Sequence, residues 1–114
     1  MESTPQQRLD LIYATYQTSF ENRAADIAAA QSDAQADAIR ANVTKLESQY
    51  LEAETAGLEA NGAAVEAAYQ SAQAAAATVT AAYQNGVALA DRIRAVSSAV
   101  TAVADLITKA TALA

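Results

Sequence analysis

Apolar residues recur along this chain at helical spacing, in two stripes of different character. In the first half they run Leu9, Ile12, Tyr13, Tyr16, Phe20, Ala24 and Ile27. They fade across 28–38, where Gln, Ser and Asp interrupt the Ala, and resume as Ile39, Val43, Leu46, Tyr50 and Ala53. Ile27 to Ile39 is twelve residues, about 120° of phase on an ideal helix, so the second set is rotated relative to the first. From Val65 a single heptad register runs to Ala114 in steps of three and four, through Ala68, Ala72, Ala75, Val79, Ala82, Gly86, Leu89, Ile93, Val96, Val100, Val103, Ile107 and Ala110. A repeat of this kind makes a seam that another helix must cover, and its small side chains let that helix come close.

Local signals place the ends of these elements. Thr4 suits an N-cap, Pro5 the first helical position, and Gln7 the third residue of a capping box. Asn61-Gly62 is the strongest punctuation in the chain, since Gly takes the left-handed conformation that ends a helix. Two further sites are ambiguous. Ser32 with Gln35 spells a second capping box, but no Gly or Pro breaks the helix there. Asn85-Gly86 reads as a turn, yet Gly86 lies on the seam and the register is the same on both sides. The pattern predicts an all-α fold: a long, coiled-coil-like antiparallel helical hairpin, continuous through Ser32 and Gly86 and turning at Asn61-Gly62. Its arms would be about 75–80 Å long at 1.5 Å per residue. Residues 1–114 form one helical domain in this reading, and the hairpins associate into multi-helix bundles. A break at both ambiguous sites gives the alternative, a monomeric four-helix bundle.

Composition supports helix and argues for association. Ala makes up more than a quarter of the 114 residues, against three Gly and one Pro, and Ala is the best helix former. A core of small side chains gains little per residue, at about 0.8 kcal/mol per buried methylene, so a lone hairpin would be marginal. The interface expected for association is the seam itself: Val65, Ala72, Val79, Gly86, Leu89, Ile93, Val96, Val100, Val103 and Ile107. Tyr69, Tyr83, Ala64, Ala99 and Leu106 flank it where a two-stranded coiled coil usually carries charge. The buried face is therefore wide.

The chain holds no His and no Cys. That removes the commonest general base and the usual zinc and di-iron ligand sets. No phosphate-binding Gly loop or nucleophile elbow is present. Asp33 and Asp37 share a helix face, and Glu47, Glu52, Glu54 and Glu59 follow, but carboxylates on an Ala-rich amphipathic helix are a solvated surface unless a cleft shifts their pKa. No catalytic, cofactor-binding or metal site is expected. Net charge is −6, and all of it falls in residues 1–60, with ten acids against four bases. Residues 61–114 balance three against three. Without a basic patch, nucleic acid is not an expected partner.

Ala67 to Ala90 carries no charge over 24 residues, long enough to cross a bilayer, but Gln, Asn, Ser and Thr interrupt it and a buried helix is the better account. The five Tyr and one Phe are the bulky anchors, expected to pack with their rings buried and hydroxyls wet. No basic region followed by an apolar run opens the chain, so no Sec-type signal peptide is expected. The protein would be cytoplasmic or exported by a signal-peptide-independent route.

In length and midpoint turn the chain looks like the secreted helical hairpins of specialised bacterial secretion systems, with Ala60-Asn61-Gly62 where those carry Trp-x-Gly. Its Ala- and Gln-rich texture resembles small self-assembling bacterial proteins and granule-coating phasins. Both resemblances are compositional and carry no residue over. The expected role is a non-enzymatic structural or self-assembly subunit that builds a homo-oligomer, filament or coat with copies of itself. A secreted or chaperone-like hairpin that binds another helical protein is the alternative. A membrane- or lipid-surface protein is the third.

Overall fold

A computed structural model describes residues 2–112 as four helices: α1 (Pro5–Ala29), α2 (Asp33–Ala56), α3 (Ala63–Gln84) and α4 (Leu89–Thr111). The fold is all-α, as the periodicity predicts, and it is the four-helix arrangement rather than the long hairpin. α1 folds back on α2 and α3 on α4, and the two hairpins stack with α1 beside α3 and α2 beside α4. The body measures 46 × 25 × 18 Å, far short of the arms expected for continuous helices. No helix among the described residues is long and apolar enough to cross a membrane. Ala114 and Leu113, the last seam and flank positions, lie outside the described residues.

The expected continuity fails at both ambiguous sites, for separate reasons. At the first, the Ser32 hydroxyl accepts the Gln35 backbone N–H at 3.2 Å, and the Gln35 side chain accepts from the Gln31 N–H at 2.8 Å. These bonds satisfy donors that a new helix leaves orphaned, so the chain breaks without Gly or Pro. The phase change across 28–38 is the trace of that break. At the second, Gly86 takes φ +63° in a turn that returns α4 along α3. The unbroken heptad did not exclude this. Two antiparallel helices each need an apolar stripe facing the other, and a short turn conserves the phase by placement alone.

The midpoint turn also differs in detail. α2 ends five residues earlier than Asn61, at Ala56, where Gly57 takes φ +89° and its N–H bonds the Ala53 carbonyl at 3.0 Å. Leu58 follows with φ +53°, an uncommon conformation for a branched residue, and is almost wholly buried. Gly57 reverses the chain and Leu58 plugs the core beside Ile12, Ala53 and Val65. Gly62 then opens α3. At the other end of the chain the Thr4–Gln7 capping box forms as read, with Pro5 at the helix start.

The core has two apolar parts. One, near the 57–62 turn, gathers Ile12, Ala53, Leu58, Val65, Val103 and Leu106 among others. The second, further along, is smaller: Leu46, Val79, Val96 and Ala99, with Tyr16 and Tyr83 against it. α1 meets this core with a mostly polar face, burying Arg8, Thr15, Ser19 and Asp26 beside a single large apolar residue, Ile12. Two polar clusters tie that face down.

Arg8 is fully buried. Its Nε donates to Ser3 Oγ at 2.8 Å, its Nη1 to the Leu58 and Ala60 carbonyls at 2.8 Å each, and its Nη2 to the Ser3 carbonyl, Asn61 Oδ1 and Glu66 Oε2. Ser3 in turn donates its N–H and hydroxyl to the Glu66 carboxylate, both at 2.8 Å. The Ser3 backbone N–H bond is the main influence holding Glu66 below the usual carboxylate range, helped by the Ser3 hydroxyl and Arg8 and opposed by desolvation.

At the opposite end of α1, Asp26 accepts from the Tyr83 hydroxyl and pairs with Arg92 at 3.2 Å. Burial first, then the Asp26 carboxylate, push the Tyr83 phenol well above its ordinary pKa. Arg8 and Asp26 are eighteen residues apart, five full turns, and so share a face. One carries plus and the other minus. Reversed docking of α1 would set Arg8 near Arg92 and Asp26 near Glu66, so the two ion pairs fix the direction of packing as well as its register.

Candidate functional site

The seam positions expected to meet a second chain are largely occupied by this one. Val65, Ala72, Val79, Val96, Val103 and Ile107 are buried in the chain's own core. Val100 packs half-buried against the second cluster. Leu89 and Ile93 are also half-buried, and Gly86 sits in the exposed turn. The small residues do what the heptad implies, close helix packing, but α3 and α4 supply each other's partner.

The face left open lies on the other hairpin. Because α1 turns Arg8, Thr15, Ser19 and Asp26 inward, its aromatic stripe is displaced toward the outside, along the groove with α2. Tyr13, Tyr16 and Phe20 follow one another at helical spacing, and Tyr50 reaches them from α2. Ring centroids are 5.0 Å apart for Tyr13–Tyr50, 5.7 Å for Tyr16–Phe20 and 6.3 Å for Tyr16–Tyr50, the last pair nearly parallel at 7°. These are ordinary separations for favourable aromatic pairs. Tyr13 is 42% exposed, Phe20 39% and Leu51, next to Tyr50, 54%. Tyr16, Tyr50, Tyr69 and Tyr83 pack half-buried against the core as expected of anchors, whereas Tyr13 and Phe20 lie on the outer surface.

Charge borders this face unevenly. The Tyr16 hydroxyl donates to Glu47 Oε2 at 3.2 Å, and the Tyr50 hydroxyl to Glu54 Oε2 at 3.1 Å. Desolvation, followed by these carboxylate bonds, raises both phenol pKa values. Asp10 is exposed one turn before Tyr13. At the far end the Arg23 guanidinium stands 3.9 Å from the centre of the Phe20 ring, and its Nη1 donates to the Phe20 carbonyl at 3.0 Å.

The remaining candidates hold no chemistry that the sequence had promised. Among the described residues no group of three or more possible ligands gathers to hold a metal ion. Asp37 pairs with Arg40 on an exposed surface. The polar interior lined by Ser19, Asp26, Asn42 and Tyr83 leaves a cavity of only about 10 Å³, room for at most one water. Leu9, Ile12, Tyr13, Tyr16 and Phe20 form one broad apolar stripe in the sequence, so periodicity alone does not mark the aromatic side as the outer face. A sharper signal was present: Arg8, Ile12, Thr15, Ser19 and Asp26 repeat at steps of three, four and seven beside Leu9, Tyr13, Tyr16, Phe20 and Ile27. No family model, no curated protein and no solved structure matches this chain.

Proposed function

We propose that this protein is a non-catalytic helical interaction module that binds another protein through the aromatic face of α1 and α2. The observation that carries this reading is the exposure of Tyr13 and Phe20 in one contiguous aromatic cluster with Tyr16 and Tyr50. Large apolar side chains gathered at a surface mark interaction sites, and aromatic residues are enriched in the centres of such interfaces. For a chain without His or Cys, this favours the helical binding module, with no cofactor, over a subunit that polymerises through its seam.

Self-assembly is the second reading, and one observation favours it. α3 presents an outward stripe of small exposed residues, Ala67, Ser71, Ala74, Thr78 and Ala81, against which a second copy can pack closely. A photoreactive phenylalanine analogue placed at Phe20 in one preparation and at Ala74 in another separates the two in cells producing the protein. A discrete adduct with a different protein from position 20 is the expected result. Adducts only from position 74, formed with a second copy, overturn the first reading in favour of the second, and absence of adducts from both overturns each.

A further inference from the structure

We infer that the partner of the aromatic face is cationic: an amphipathic helical segment bearing Arg or Lys beside an apolar stripe, and not a second copy of this chain. The inference rests on the interaction reading above and adds the chemistry of the occupant.

Three features point the same way. First, the rim is anionic beside Tyr16 and Tyr50, the half-buried rings of the cluster. Glu47 and Glu54 each accept one phenol hydrogen bond, which uses one of about four acceptor sites on a carboxylate. The others remain open to a guanidinium or ammonium, whose bond to a carboxylate is charge-assisted. Second, the rings offer π faces that attract cations. The chain already shows one such contact on this surface, Arg23 over Phe20 at 3.9 Å. Third, the chain's own cation on this face, Arg23, is engaged by the Phe20 ring and carbonyl.

A second copy fits poorly. Residues 1–60 carry ten acids against four bases, and one of those bases, Arg8, is buried in the clasp. Face-to-face pairing of two α1–α2 hairpins would bring like charge together. The α3–α4 hairpin is neutral and provides no positive counter-surface. On α1 the exposed rings from Tyr13 to Phe20 span about 10 Å at helical rise, which accommodates about two turns of an incoming helix. Such helices dock through apolar anchors at steps of three and four, with the flanking positions free to carry the cations.

Two eighteen-residue helix-forming peptides of identical apolar pattern test this, one with Arg at the flanking positions and one with Glu, titrated into the intact protein and followed by calorimetry and NMR. The Arg peptide is expected to bind, with the Glu peptide weaker by at least about ten-fold. Glu47→Gln with Glu54→Gln is expected to weaken the Arg peptide about ten-fold, and Phe20→Ser by a similar factor. Glu52→Gln with Glu59→Gln removes the same charge from exposed positions outside the aromatic cluster and is expected to change binding less than about two-fold. Thermal melts confirm that each variant is folded.

Equal binding of the two peptides overturns the inference, as does equal weakening by the two carboxylate pairs, which would mean general charge attraction. If the two peptides bind equally and Phe20→Ser weakens both alike, the cationic partner is wrong while the aromatic interaction face stands. Binding of neither peptide also overturns the cationic partner, and the crosslink at position 20 then judges the face alone. Sedimentation showing a dimer that Phe20→Ser dissociates overturns it in favour of a second copy.

Discussion

One helix from each hairpin, α4 and α1, meets the shared core with an opposite kind of side chain. α4 buries Val96, Ala99, Val103, Leu106, Ile107 and Ala110, an apolar face with nothing to satisfy. α1 buries Arg8, Ile12, Thr15, Ser19 and Asp26, and four of these five are polar or charged. The contrast shows two ways of fixing a helix. Apolar packing between α3 and α4 is strong but permissive, because one Ala/Val seam accepts neighbouring registers at modest cost. The polar clasps on α1 gain less on balance, since desolvation offsets much of their attraction. They tolerate only one placement, because a shift of a single residue strands a buried charge. That placement sends the aromatic stripe outward, and the exposed aromatic face follows from it.

The comparison is best broken at its two strongest points. Arg8→Met should cost about 3–5 kcal/mol, the usual consequence of removing one partner of a buried ion pair. It leaves the Ser3, Leu58 and Ala60 carbonyls without their donor. Leu106→Ala, at a site with no exposure, should cost about 2–5 kcal/mol through lost burial and a cavity. Urea unfolding measures both. If α1 is held by its clasps, Arg8→Met alone should also accelerate hydrogen exchange in α1 ahead of α3 and α4. Uniform loss of protection across all four helices would show the clasp to be no more local than the core.

A smaller effect is expected at the turn that divides α3 from α4. Gly86 has φ +63°, and a Cβ added there would meet open space. Gly86→Ala therefore tests conformation alone and should lower stability by about 1–2 kcal/mol, the cost of a left-handed residue with a Cβ. A raised thermal midpoint would restore the continuous helix. The same substitution leaves the α1 clasps untouched, so their hydrogen exchange should not change.

Acid sharpens the contrast last. The carboxyl of Glu66 titrates below its ordinary value of 4.5 in the folded chain. A depressed folded pKa contributes stability that is present above the unfolded value and is lost as pH falls through the folded one. Wild-type stability should thus decline below about pH 4.5, and part of that decline should vanish in Glu66→Gln, which starts less stable at neutral pH. Denaturation midpoints between pH 7 and 3 show the difference. Parallel curves for the two proteins would remove Glu66 from the account.

The residues also show where reading the chain succeeds and where it stops. Thr4, Pro5 and Gln7 start α1 through contacts at most a few residues apart, so the box was legible. Ser32 was legible in the same way, and continuity through it gave too much weight to the absence of Gly and Pro. Gly57 and Leu58 were not singled out, because their positive φ values follow from Leu58 finding a site among Ile12, Ala53 and Val65. Glu47 and Glu54 were read as solvated acids, and they are exposed. What escaped was that Tyr16 would reach Glu47 across the helix pair, while Tyr50 reaches Glu54 one turn along α2.

The sequence by itself determined that this protein is helical, where its first helix begins, which stripes are apolar, and that His and Cys chemistry is absent. Those properties depend on periodicity, propensity and residue type, all written within a few turns of chain. Tertiary structure decided which of two adjacent stripes on α1 turned inward. A buried Arg8 or Asp26 is costly until its partners arrive, and they come from Ser3, Leu58, Ala60 and Glu66 at one end and Tyr83 and Arg92 at the other. Only when the chain has folded are those groups neighbours, and only then does the aromatic stripe become the outer surface.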